Sequence, residues 1–491
     1  MTDLVPAPNL RRTLITGLRW VTVSRVIAQV VTWVNTFYVI RLLSPADFGL
    51  AALAAVFANF LSLLNELGFS VTLVQRQTRD EESLRHVFGA LLTIGAIFTS
   101  GLIIAAPLIG DLAREPRIVP LVRFVSIQFV VMAFSVIPQA RLSMDMRFRE
   151  LAATGIASAL VGAASTLLMA LSGAGAWSLV VGSAALAVMR MILLNVFCPS
   201  LRMPRLRWDR IRPFARFSGL VLLERTLWYW YMQIDSFVVG RVLGVTQLGV
   251  YAVGKQLTNI PLERAMEIVN SVALPAFSRL REDLADVRAG YLKILRLGAA
   301  YAFPVFWGLG AVCDPLIRAV IGAKWIAAIP VIQLLCVSMP LRMLNSFTAA
   351  PVTAVGRQDV NIKSLLLAIC VIPPGVVIGV HYGVTGAALA WAIGFPLVYL
   401  INAALVSRAL NITVLDMWNS VWPAGFAAAV MSALLALFGE ALHSLHPLAH
   451  LALAIPFGLL VFLLTLSAVS AESAREMMRF ARDLTSRNRV A

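Results

Sequence analysis

Arg25, Gln29, Thr32 and Thr36 recur at helical spacing inside an apolar stretch, so a helix there carries one polar stripe. Asn59, Ser62 and Glu66 make a second stripe. Glu224, Trp228, Tyr231 and Asp235 make a third, within the aromatic run 228–231. The most polar stripe holds Lys255, Asn259, Glu263, Glu267 and Asn270 with Arg264 beside them, and Ser338, Arg342 and Asn345 form another. Charges in lipid are costly and as a rule face a bundle interior or an aqueous cavity. A cavity lined by these residues has a definite chemistry. A guanidinium offers a planar fork of donors to a compact anion, and a lysine offers a point charge. Amides and carboxylates suit the hydroxyl groups of a ligand, and aromatic faces suit its apolar faces.

The candidate ligand-binding residues are therefore Arg25, Gln29, Asn59, Glu66, Asp235, Lys255, Asn259, Glu263, Arg264 and Arg342, with Arg25 and Lys255 foremost. Competing readings stand beside these. Glu263, Arg264 and Glu267 equally suit an ion-pair set that braces their own helix. Asp235 and Glu224 suit partners for Arg225 or Arg25, or ion-coupling groups. Arg19 and Arg190 suit snorkelling to lipid phosphates. The aromatic run reads first as packing.

Catalytic and metal chemistry find little purchase. The chain has no phosphate-cradling G-x-x-x-x-G-K-[ST], no G-x-S-x-G and no H-E-x-x-H, so neither ATP hydrolysis nor a hydrolytic active site is expected. Cys198, Cys313, Cys336 and Cys370 show neither metal-ligand spacing nor a disulfide framework. His443, His446 and His450 share a helical face, yet they fall in an outer turn away from the polar stripes. No metal and no cofactor are expected.

The elements that must position the stripes follow from composition. The 491 residues are 59% hydrophobic and 13% charged, with a mean hydropathy of +0.83. A soluble domain carries roughly 25% charged residues. Continuous apolar runs of about 20 residues recur along the chain, and backbone groups in lipid can be satisfied there only as helices. They fall at 14–41, 48–71, 87–110, 118–138, 150–171, 176–197, 216–242, 247–275, 291–322, 326–350, 363–381, 384–407, 416–439 and 447–470. The expected fold is an all-α polytopic membrane protein of about fourteen spans.

The net charge of +16 sits mostly in alternate loops. One set holds the arginine clusters at 11–12, 76–85, 141–149, 202–216, 279–296 and 475–489. The other holds only Arg41, Arg114, Arg117, Arg241, Arg318 and Lys324. This asymmetry puts the basic set and both termini in the cytoplasm and removes the reason to invoke nucleic acid. The start lacks a cleavable signal, so the first span is expected to serve as its own insertion signal. The tail reads either as an amphipathic helix on the inner membrane surface or as a solvated basic segment.

An internal repeat organises the spans. RLLSPADFGLAALA (41–54) and RVLGVTQLGVYAVG (241–254) align without a gap, pairing Arg41 with Arg241, Leu43 with Leu243 and Gly49 with Gly249. MRFRELA (146–152) and GRQDVNI (356–362) open the fifth span of each half, and Gly175 and Gly386 are expected in equivalent turns. An even number of spans per copy makes the repeats parallel, giving two lobes around a central pathway. The expected organisation is an N-lobe of six helices at 1–197, a basic cytoplasmic linker at 198–215 and a C-lobe of six helices at 216–410. Two extra C-terminal helices at 411–470 and a cytoplasmic amphipathic tail at 471–491 complete it.

At the span 1–2 junction R-L-L-S-P-A-D-F-G-L, the N-E-L-G-F that ends span 2 (65–69) and the repeat plan, the chain resembles the oligosaccharide flippases. These are the polysaccharide-transport branch of the multidrug/oligosaccharidyl-lipid/polysaccharide exporter superfamily. The resemblance implies transfer of lipid-linked oligosaccharide repeat units, typically on undecaprenyl pyrophosphate, across the bacterial inner membrane for capsule, O-antigen or exopolysaccharide assembly. The expected partners are the lipid-linked oligosaccharide and membrane lipids, with the chain acting either alone or docked to a polysaccharide polymerase and glycosyltransferases. An ion-coupled small-molecule exporter of the same superfamily is the alternative. A membrane enzyme acting on lipid-linked sugars fits poorly, because every outer loop is short.

Overall fold

The computed structural model describes residues 27–66, 80–199, 203–205, 208–280, 283–441 and 445–487. Among them there are helices and turns and no strand. The helices are α1 (27–42), α2 (Pro45–Glu66), α3 (Glu81–Ala113), α4 (Ile118–Ser126), α5 (Gln128–Met144), α6 (Phe148–Leu171), α7 (Trp177–Phe197) and α8 (Trp208–Leu243). They continue as α9 (Val245–Leu280), α10 (Leu284–Leu316), α11 (Ile329–Ser346), α12 (Ala349–Ala354), α13 (Gln358–Gly379) and α14 (Gly383–Leu410). α15 (Val414–Ala441), α16 (Pro447–Val469) and α17 (Ala471–Arg487) close the chain. Nine stretches of the described residues are long and apolar enough to cross a bilayer. The protein is an all-helical membrane protein.

Local sequence sets the helix ends. Ser44 and Asp47 form a reciprocal cap on α2: the Ser44 hydroxyl donates to Asp47 Oδ2 at 2.5 Å, and the Asp47 N–H donates to Ser44 Oγ at 3.2 Å. This is the logic of a capping box, with Pro45 in the first helical position, where its missing N–H costs nothing. Thr413 and Asp416 repeat the device at α15, and Asp80 and Asp283 cap α3 and α10. Ser44→Ala or Asp47→Ala should each cost about 1 kcal/mol, read as a lower midpoint in detergent unfolding. The double variant should cost less than the sum, because one reciprocal bond is lost twice.

The contacts divide the chain into two compact units, Met1–Gly249 and Val250–Ala491. In the first, Leu84, Val87, Phe88 and Leu91 of α3 pack on Ala133, Ile137 and Ala140 of α5. α6 and α7 meet through small residues, Gly162 beside Leu186 and Gly182 beside Thr166, as helices do where lipid supplies no hydrophobic drive between them. Backbone meets backbone where α2 crosses residues 245–249. A Cβ on Gly49 would overlap the Val245 carbonyl, and a Cβ on Gly249 would overlap the Pro45 carbonyl. The contact is reciprocal in the numbering of the sequence repeat.

In the second unit α10 is central. Val287, Tyr291, Leu295, Ala299, Ala302, Phe303 and Phe306 are buried on it against Met339 and Met343 of α11, Ala424, Ala427, Ala428 and Met431 of α15, and Phe462 and Leu466 of α16. α17 joins this core through Ala474 and Met477, and Arg296 spans Glu472 at 2.8 Å and Glu476 at 3.3 Å. One expectation is corrected locally. Gly386 lies inside α14, and the residue that turns the chain is Gly383, with φ 84°. Gly386 is needed for proximity instead, since a Cβ there would overlap the Gly379 carbonyl.

Candidate functional site

Each expected residue has a definite place, or lies outside the described residues. Arg25 lies outside them, as do His443 and the side chains of Glu66, Glu224, Arg225 and Asn270. Gln29 is half-buried on α1, and Asn59 is exposed on α2. Beside Asn59, Phe60 stacks at a tilt on Tyr229 (5.7 Å) and Trp230 (5.3 Å) of α8. The Tyr229 hydroxyl donates to the Val56 carbonyl, so this part of the aromatic run locks α8 to α2. Trp228, by contrast, stays exposed. Asp235 is 1% exposed and accepts from the N–H and the hydroxyl of Ser236 at 2.6 and 3.2 Å.

In the second unit, Lys255 and Asn259 lie half-buried on α9 and Glu263 is exposed. Arg264 reaches Glu267 at 2.6 Å, one turn along the same helix. That pair favours the bracing role for Arg264.

Arg342 is the most deeply buried of the candidate cations that are described, at 7% exposure. Its guanidinium carbon lies 4.4 Å from the centre of the Trp391 ring, a cation–π geometry. One turn further along α11, Asn345 Oδ1 accepts from Asn402 Nδ2 of α14 at 2.6 Å. Arg342 and Asn345 thus form one side of a polar seam, and Trp391 and Asn402 form the other, while the buried Ser338 returns its hydroxyl to the Leu335 carbonyl at 3.1 Å. The sequence reading missed the α14 side. A signal was present: Trp391, Phe395, Val398 and Asn402 recur on one helical face. A tryptophan and a single amide in an otherwise apolar span look like filler until the partner helix is known.

The seam holds a cation, amides and an aromatic ring inside a membrane helix pair, and nothing in it resembles a nucleophile with a base. Among the described residues no three His, Cys, Asp or Glu side chains gather as a metal site. His446 instead caps α16, its Nδ1 accepting from the Leu448 N–H at 3.3 Å. This is binding and positioning chemistry.

The model of a family described as polysaccharide biosynthesis protein matches residues 38–330. The lipopolysaccharide biosynthesis protein WzxC of Escherichia coli K12 is 25% identical over 81% of this chain and 80% of its own length. The succinoglycan biosynthesis transport protein ExoT of Rhizobium meliloti is 26% identical over 69% of this chain and 68% of its own. Among solved structures, the lipid II flippase MurJ in its inward closed conformation superposes with a TM-score of 0.65 at 14% identity, covering 96% of this chain and all of that one. An inward-facing multidrug resistance transporter of the MATE family and MOP superfamily superposes with a TM-score of 0.60 at 15% identity, covering 78% and 94%. The fold is the one these flippases and exporters share. The chain belongs to the polysaccharide biosynthesis protein family, the polysaccharide-transport branch that its span 1–2 junction resembles.

Proposed function

We propose that this protein is a flippase of the bacterial inner membrane that carries polyprenyl-pyrophosphate-linked oligosaccharide units from the cytoplasmic to the outer leaflet, for exopolysaccharide, capsule or O-antigen synthesis. The observation that carries the reading is similarity along most of the chain to proteins named for lipopolysaccharide biosynthesis and succinoglycan transport, on the fold of a lipid II flippase. The protein is a transporter rather than an enzyme. Polysaccharide polymerase and glycosyltransferases are its proposed neighbours, and both termini are proposed to be cytoplasmic.

The proposed architecture is about fourteen spans arranged as two six-helix copies plus two terminal helices. Backbone geometry supports the duplication. Met146 and Gly356 are both left-handed (φ 52° and 76°), and so are Gly173 and Gly383 (φ 78° and 84°). The two pairs have the same separation in sequence, and Met146 with Gly173, like Gly356 with Gly383, brackets the fifth helix of its half. The reciprocal crossing of Gly49 and Gly249 joins a third repeat-related pair. Transport by alternating access would expose the polar stripes to one side and then the other. The proposed cargo contacts are Arg25, Gln29, Asn59, Glu66 and Asp235 of the first unit and Lys255, Asn259, Glu263 and Arg342 of the second, with Arg25 and Lys255 foremost, while Arg264 contributes through its pairing with Glu267.

Deletion of the gene tests the cargo class. Surface polysaccharide should be lost and should return on complementation. Unchanged polysaccharide together with new drug sensitivity would instead assign the chain to small-molecule export.

A further inference from the structure

Outside the polar stripes, the first unit holds a cavity of about 250 Å³ between α5, α6 and α7. Its polar lining is Gln139, Thr154, Ser158 and Arg190, and Leu151 and Leu186 supply apolar wall. Arg190 Nη2 donates to Gln139 Oε1 at 3.0 Å, and no carboxylate lines the cavity. Thr154 and Ser158 lie one turn apart on α6, at 3% and 2% exposure, and neither hydroxyl has a hydrogen-bond partner. This is unusual for the helix. Thr166, further along α6, returns its hydroxyl to the Gly162 carbonyl at 2.8 Å, the common refuge of such residues in membranes. A buried hydroxyl left without a partner costs free energy. Between them, a Cβ on Gly155 would meet nothing within 4 Å, so the space is open on that side too.

The position of the cavity identifies the ligand. Arg190, Thr154 and Gln139 each lie five to seven residues from the nearest end of their helix, a depth of roughly 8–10 Å at 1.5 Å per residue. That end carries Arg141, Arg147 and Arg149. Arg141 is paired with Glu81 and Arg147 with Glu150, and Arg149 is exposed. Arg190 is itself exposed on the surface of the helix layer. One arginine and two unsatisfied hydroxyl donors suit a singly charged phosphate diester, and the leucines suit the first carbons of acyl chains.

We propose that this cavity is a binding site for the phosphate of an anionic membrane phospholipid, separate from the residues assigned to the cargo. The site takes the phosphodiester between Arg190 and the Thr154 and Ser158 hydroxyls. Lipid bound here would fasten the edge of α5, α6 and α7 to the inner leaflet.

The test is native mass spectrometry of the full chain released from nanodiscs of phosphatidylglycerol and phosphatidylcholine. Wild type should retain phosphatidylglycerol over phosphatidylcholine. The paired variant T154V/S158A and the variant R190Q should each weaken that retention about tenfold. G155L, which fills the cavity without touching a polar group, should weaken it similarly while the protein stays monodisperse with an unchanged melting midpoint. Retention at the wild-type level in monodisperse R190Q and G155L would overturn the proposal. Competition by inorganic phosphate at millimolar concentration would assign the site to free phosphate and remove the lipid. Equal retention of both lipids by wild type would reduce the cavity to a gap filled by bulk lipid.

Discussion

Gly49→Leu should abolish accumulation of folded protein in the membrane, and Gly49→Ala should lower its unfolding midpoint strongly. The Cβ of either variant would overlap the Val245 carbonyl. A clash with a flexible side chain is relieved by a rotamer change, whereas this one requires two helices to move apart. Overpacking ordinarily costs 1–3 kcal/mol, and a backbone clash belongs at or above the top of that range. The reciprocal contact gives a sharper expectation. Gly249→Ala meets the Pro45 carbonyl, so it opens the same crossing. The double alanine variant should therefore cost clearly less than the sum of the singles, since the helices separate only once. Additive losses in denaturant titration would mean that the two glycines act at independent contacts.

The second large effect separates stability from transport at Arg342. Its guanidinium is buried over Trp391. A buried charge is held at a cost, and replacing it with an apolar residue of similar volume is often neutral or stabilising. Arg342→Met should therefore unfold no earlier than wild type. If the cation serves cargo, the same variant should lose at least tenfold in transport, the loss expected for a charge-assisted contact. Arg342→Lys should not rescue it, because an ammonium lacks the planar face that stacks on the ring. Trp391→Leu should behave in the opposite way. It leaves the guanidinium without its ring and should destabilise by about 2 kcal/mol. A variant Arg342→Met that loses stability and activity together would make the arginine a brace.

Much of this was legible in the residues. Continuous apolar runs dictated helices, and the stripe containing Ser338, Arg342 and Asn345 was visible from spacing alone. Hydropathy located the runs but not the helix ends. The expected spans 216–242, 247–275 and 291–322 correspond to helices Trp208–Leu243, Val245–Leu280 and Leu284–Leu316, with a π-helical turn at Ile317–Ile321. Helices continue past the apolar window wherever a cap such as Asp283 can begin them earlier. The junction R-L-L-S-P-A-D-F-G-L was recognisable as a motif, while its physical content was not. Ser44 and Asp47 serve the cap, and Gly49 serves a crossing with residues two hundred positions away. The partners of Arg342 and Asn345 were hidden for the same reason, because Trp391 reaches the first and Asn402 the second only through the packing of α11 on α14. Thr154 and Ser158 look like ordinary small polar residues until their hydroxyls are seen to lack partners.

The flippase reading is tested most directly by the sidedness of lipid-linked oligosaccharide in cells depleted of this protein. Undecaprenyl-linked repeat units should accumulate, and they should be inaccessible to a membrane-impermeant glycan-modifying reagent added from outside, becoming accessible once the protein is restored. Lipid-linked units that reach the outer face at the normal rate without the protein would contradict it.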